Sequence, residues 1–154
     1  MTFDELYRSE INAIVAIATS LTGDRERGAE VAHEAMLSAF RNWERVSRLD
    51  KPGAWVRRVA INRCRDIHRR ARRERRALAR LPVRRAVDED PTPDEFWDHV
   101  RTLSLRQASV VALHYFDDLS VAEIAEILEI GEGTVKRSLH TARQTLADRL
   151  GVER

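Results

Sequence analysis

The sequence predicts an all-α protein made of two small helical domains. Three observations carry that expectation. Apolar residues recur at the spacing of one helical face along nearly the whole chain. Gly and Pro are scarce, six and four among 154 residues, while charged residues make up 34%. The periodicity lapses only over residues 77–92, where Pro82, Pro91 and the acidic run Asp88-Glu89-Asp90 read as a flexible linker. Domains over residues 1–76 and 93–154 follow.

The first domain opens with Thr2 and Glu5 at capping-box spacing. Phe3, Tyr7, Ile11, Ile14, Ala18 and Leu21 then mark one face of a helix that ends near Thr22-Gly23. Asp24 can cap the next helix, whose core stripe is Ala29, Ala32, Met36, Ala39, Phe40 and Trp43. Its other face mixes Glu30, Val31, Glu34, Ser38 and Arg41, with Leu37 at the edge. Aliphatic side chains among charges suit a protein-docking face. Scattered exposed aliphatics are also common, so the pattern alone leaves both readings open.

After a loop around Pro52-Gly53, a third helix buries Val56, Val59, Ala60, Cys64, Ile67 and Ala71. Its opposite face carries Arg58, Asn62, Arg65, Arg69 and Arg72. Residues 57–76 hold ten arginines against Asp66 and Glu74, a net +8, which leaves −6 on the rest of a chain of net charge +2. So concentrated a basic segment on an acidic body points to a polyanion such as nucleic acid. Arginine bonds phosphate bidentately and stacks on bases, and Asn can read a base edge. Trp55, on the flank of the stripe, fits either the core or support of an unpaired base.

In the second domain, Thr92-Pro93-Asp94-Glu95 is a capping box with Pro at the first helical position, ahead of Phe96, Trp97, Val100 and Leu103. Ser104 with Gln107 opens a helix through Ala108, Val111, Ala112 and Tyr115. Ser120 with Glu123 opens another, with Val121, Ile124, Ala125 and Leu128 inside. A break over residues 129–133 precedes a last stripe of Val135, Leu139, Ala142 and Leu146. Arg137, His140, Thr141 and Gln144 lie opposite it, flanked by Lys136 and Arg143. A short helix, a tight turn and a helix with a basic outer face is the helix-turn-helix plan, in which the second helix enters the DNA major groove. A plain helical hairpin shares the periodicity.

Other chemistries find little support. His33-Glu34 lacks the second His that a zinc-peptidase helix needs, because position 37 is Leu. The five histidines show no ligand spacing with Cys64, and neither a Gly-rich phosphate loop nor a nucleophile–base pair is evident. A catalyst, a cofactor or a bound metal is therefore not expected. A single cysteine excludes an internal disulfide, and neither a signal peptide nor a membrane-spanning run is visible, so a cytoplasmic location is expected.

Taken in order, these features resemble the extracytoplasmic-function (ECF) sigma factors of bacterial RNA polymerase. Residues 30–40 resemble that family's "DLVQETFLRAW" stretch, and Pro52-Gly-Ala-Trp-Val-Arg-Arg-Val-Ala-Ile-Asn-Arg63 is similar to its "PRAWLYRIARN". Leu119–Leu128 and Glu132–Lys136 resemble its "LSxxEIAxxL" and "xGTVK". The resemblance implies a region 2 bundle and a region 4 helix-turn-helix. It implies partners in core RNA polymerase, through the β′ clamp helices and the β flap, and in promoter DNA; whether an anti-sigma factor also binds stays open. Glu30, Val31, His33, Glu34 and Leu37 would dock on the polymerase. Leu49, Lys51, Trp55, Arg58, Asn62, Arg65 and Arg69 would hold the melted minus-ten strand. Thr134, Lys136, Arg137, His140 and Arg143 would contact the minus-thirty-five element. A stand-alone helix-turn-helix regulator is the alternative, and an RNA-binding protein a third. One departure is local: Glu129 replaces the turn glycine, and a left-handed backbone there would cost about 1 kcal/mol.

Overall fold

The computed structural model describes residues 1–78 and 95–151, all helix and connection with no strand among them. The helices are α1 (Phe3–Thr22), α2 (Arg25–Arg41), α3 (Trp43–Val46), α4 (Pro52–Leu78), α5 (Glu95–Arg101), α6 (Leu105–Tyr115), α7 (Val121–Leu128) and α8 (Glu132–Leu150). The all-α expectation holds. The expected linker falls mostly on residues outside the described ones, as does the Thr92 cap, and α4 continues to Leu78.

Local signals in the sequence set the helix ends. Thr2 Oγ1 accepts from the Glu5 N–H at 3.2 Å while the Glu5 carboxylate accepts from the Thr2 N–H at 3.0 Å, so two otherwise orphaned donors are satisfied. Gly23 ends α1 at φ 76°, a conformation that costs glycine least. Asp24 then caps α2 through the N–H groups of Glu26 and Arg27. Ser120 and Glu123 form the same reciprocal box at α7, whereas Ser104 caps α6 from its own side only. Glu129 does adopt the left-handed conformation, at φ 55°.

In the first half, α1 and α2 pack along their length and α4 lies across both. Leu6, Ile14, Ile17, Val31, Met36, Val46 and Val56 are sealed from solvent between them. Burying such side chains stabilises by about 1.5–3 kcal/mol each. Two expectations for α2 need correction. Val31, expected on the outer face, is 2% exposed and belongs to the core. Phe40, expected in the core, is 60% exposed, because Ala32, Ala35 and Ala39 take the inward positions and turn Phe40 to the edge. It packs there edge-on to Phe3, whose ring also meets Trp43. The stripe is not one helix to Trp43 either: Asn42, at φ −109° and ψ 22°, ends α2 and begins α3.

The second half gathers α5, α6 and α7 around α8, whose Val135, Leu139, Ala142 and Leu146 are buried as the spacing predicts. Ile127 and Leu113 join that core, but Tyr115 stays half exposed. The two halves are not separate bodies. Helix α1 packs on α5 and α6, and α4 meets α7. The periodicity gave no sign of these contacts. No described helix is long and apolar enough to cross a membrane.

Candidate nucleic-acid interface

The basic stripe of α4 forms as the spacing predicts. Asn62, Arg65, Arg69 and Arg72 are exposed, and Arg58 is partly so. Leu49 is exposed on the preceding loop. Trp55 is half-buried against the hydrophobic core, so packing fixes its position. Asn62 accepts a hydrogen bond from Arg65, which orients both on one face. His68 contributes no charge near neutrality, because burial and the neighbouring Arg72 and Arg75 push its pKa down.

Two members of the expected minus-ten set are already bonded. Arg58 Nε donates to the Ile127 carbonyl at 2.9 Å, its Nη2 donates to the Glu126 carbonyl at 2.8 Å, and its Nη1 lies 3.0 Å from the Glu129 carboxylate. Those carbonyls belong to the last turn of α7, which has no intrahelical donors for them. Lys51 Nζ donates to Glu126 at 3.0 Å, a bond that raises the pKa of the ammonium.

Beside them sits a group that sequence reasoning missed. Arg57 bonds Asp117 through Nε at 2.5 Å and Nη2 at 3.2 Å, and it also bonds Glu10. Its side chain is 11% exposed and that of Asp117 12%. Burial works against the guanidinium charge, but Asp117 and Glu10 outweigh it and hold the proton more firmly than usual. The available signal was an arginine directly beside Val56 on the inward side of α4. Buried charge demands a partner, though no local pattern says which.

The expected minus-thirty-five residues lie on α8. Lys136, Arg137, His140 and Arg143 are exposed and Thr134 is half-buried. Arg143 donates to the Tyr115 hydroxyl at 2.8 Å and lies over its ring. Thr134, Arg137 and Thr141 face Arg58, Asn62 and Arg65 across a cleft of about 830 Å³. The fold thus brings parts of two expected DNA-contacting sets to one place.

The docking set on α2 lies apart from that cleft. Glu30, His33 and Glu34 are exposed, and Leu37 is 46% exposed. His33 is held by the Ala29 carbonyl at 2.7 Å and the Tyr7 hydroxyl at 3.1 Å, while Glu34 accepts from Arg63 at 2.8 Å. Val31, being buried, lies behind this surface and not on it.

The chain matches known proteins in both halves. Residues 6–74 match the family described as Sigma-70 region 2, and residues 94–146 match Sigma-70, region 4. The ECF RNA polymerase sigma factor SigL of Mycobacterium tuberculosis is 33% identical over 163 residues, covering 97% of this chain and 90% of that protein. The RNA polymerase sigma-E factor of Streptomyces antibioticus is 27% identical over 153 residues, covering 97% and 85%. Among solved structures, the sigma factor RpoE of Bartonella quintana, crystallised with the anti-sigma factor NepR, shares the fold. It superposes with a TM-score of 0.75 at 19% identity over 99% of this chain and 98% of that one. Matched in both regions and across nearly its whole length, the chain belongs to the ECF sigma factors of RNA polymerase.

Proposed function

We infer that this chain is a promoter-specificity subunit: it binds core RNA polymerase and directs initiation at promoters it selects. The observation that carries the assignment is the exposed Arg and Asn face of α4 within the region 2 match. Residues 1–76 form the unit that docks and separates strands, residues 77–92 connect, and residues 93–154 form the duplex-binding unit. Glu30, His33, Glu34 and Leu37 present one polar and aliphatic surface to the polymerase, and exposed Phe40 extends it. Leu49, Lys51, Trp55, Arg58, Asn62, Arg65 and Arg69 hold the unpaired strand of the minus-ten element. Thr134, Lys136, Arg137, His140 and Arg143 bind the minus-thirty-five duplex.

The energetics favour a division of labour. Opening DNA costs about 1.4 kcal/mol per base-pair step in stacking. Stacking an unpaired base on a side chain returns about 1–3 kcal/mol, so a few captured bases offset a few opened steps. A bidentate contact from α8 to a duplex base adds roughly 1–3 kcal/mol and fixes the register. Joining both units in one chain makes the second contact effectively intramolecular.

The test adds the protein to sigma-free core polymerase with a promoter library. A stable complex and promoter-specific transcripts are expected, and the absence of both would overturn the assignment. Sequence-specific duplex binding without polymerase would favour a stand-alone regulator instead. In the same assay, replacing Asn62 and Arg65 with Ala should impair promoter opening more than polymerase binding. Equal loss of both would remove these residues from the strand-holding set.

A further inference from the structure

We propose that the cleft between α4, α6 and α8 is a binding site for a small organic polyphosphate of the nucleoside triphosphate class. The site goes beyond promoter recognition. One of its walls is α6, which carries no member of either DNA-contacting set.

Charge is the first argument. Arg58, Arg65, Arg106 and Arg137 line the cleft against a single carboxylate, Glu129, a net +3. Glu129 is already paired with Arg58, whose other nitrogens hold the Ile127 and Glu126 carbonyls. Arg65 donates to the neutral Asn62, and neither Arg106 nor Arg137 bonds a carboxylate among the described residues. Three guanidinium groups from three helices thus line one cleft uncompensated. Each is a planar fork that bonds phosphate oxygens two at a time.

The backbone supplies a second argument, because α6 and α8 both begin at this cleft. Ser104 caps only the Gln107 N–H, which leaves those of Leu105 and Arg106 without an acceptor among the described residues. At α8, Gly131 offers no side-chain cap, and Thr134 of the first turn lines the cleft. Two helix N-termini bring positive dipole ends and free N–H donors to one place, which is how helices receive phosphate groups.

A buried hydroxyl supplies the third. Ser109, one turn further along α6, lines the same cleft and is 1% exposed, and its Oγ has no hydrogen-bond partner among the described residues. Leaving a buried hydroxyl unsatisfied is costly, and a ligand oxygen would satisfy it. Ile61, Ile127 and Leu128 give the cleft an apolar side as well. Its volume of about 830 Å³ lies within the range of small-molecule sites. The cationic groups suit the phosphates, and the apolar side suits the organic body that carries them.

Direct binding tests the site without polymerase. Anisotropy of ribose-labelled adenosine and guanosine triphosphates, titrated with the full chain in magnesium-free buffer at physiological ionic strength, reads affinity. Saturable binding of at least one of them below about 1 mM is expected. Arg106→Ala should weaken it about tenfold and Ser109→Ala about threefold. Arg106 is exposed, and Ser109→Ala removes an unsatisfied group, so neither should lower the melting temperature of the free protein. Arg72→Ala removes an α4 charge outside the cleft and should change binding by less than about twofold. Tripolyphosphate should displace the label about tenfold less well than the unlabelled nucleotide, because it leaves the apolar side unused. No saturation with either nucleotide by about 1 mM overturns the proposal. So does equal weakening by Arg106→Ala and Arg72→Ala, which would mean loose adherence to the basic face of α4. Unchanged affinity in Ser109→Ala removes that hydroxyl from the site, and tripolyphosphate competing as well as the nucleotide overturns the role of the organic body.

Discussion

At the scale of single residues, Cys64 shows how burial silences a reactive group. It is 3% exposed on the inner face of α4, and burial pushes its thiol up to about 12 from an ordinary 9.0, outweighing nearby Arg63. The thiolate is the nucleophile, so the native protein should resist iodoacetamide at neutral pH and react only when unfolded, as mass spectrometry can read. The native pKa exceeds the unfolded one, so the folded state holds this proton longer. Stability from that difference is complete below pH 9.0 and is lost as the pH rises toward about 12. Denaturant melts should show that alkaline loss in the wild type and less of it in Cys64→Ala. Residue by residue, much was legible in the sequence. Thr2, Asp24 and Ser120 cap because their oxygens reach donors two or three residues ahead, a purely local matter. Arg57 was not legible, because Asp117 lies sixty positions away and no local pattern pairs them.

At the scale of helices, the approach of α1 to α2 depends on a residue without a side chain. A Cβ on Gly28 would stand 2.6 Å from the Thr19 backbone nitrogen and 2.7 Å from its Cα, and backbone cannot turn aside as a flexible side chain can. Gly28→Ala should therefore destabilise by about 1–3 kcal/mol despite the better helix propensity of Ala, measurable as a lower urea midpoint with the slope unchanged. Periodicity placed α1, α4 and α8 correctly because each has an apolar stripe long enough to define its phase. It misjudged the phase of α2. There alanines alternate with larger apolar residues, so the stripe could be drawn through Phe40 or past it, and through Val31 or past it. Geometry gives the inward positions to the alanines, where small side chains let the helices approach. The same short side chains leave the Phe40 ring at the edge, beside Leu37.

For the whole molecule, the decisive finding is that the halves lean on each other. Composition and the lapse over residues 77–92 suggested two units, and the two family matches cover residues 6–74 and 94–146. Contacts between the halves were hidden because they use residues whose own helices already explain them: basic groups on α4 and acidic groups on α7. Such complementarity becomes visible only when the surfaces face each other. It also predicts shared stability. Calorimetry should show a single transition for the wild type, and Asp117→Asn should separate it into two as each half melts by itself. Two transitions already present in the wild type would mean that the contact adds little.

Helix α1 carries a consequence for how the protein is made. It packs on α2 and α4, its neighbours in the chain, and also on α5 and α6 from the far half. A ribosome releases the chain from its N-terminus, so α1, α2 and α4 can assemble while the rest is still being synthesised. During that interval the α1 surface meant for α5 and α6 is bare, and Arg57 and Arg58 of α4 lack the Asp117 and Glu129 carboxylates they meet in the finished fold. The nascent first half would be the most adhesive form of this protein toward nucleic acid, and its last helices would quiet it as they emerge.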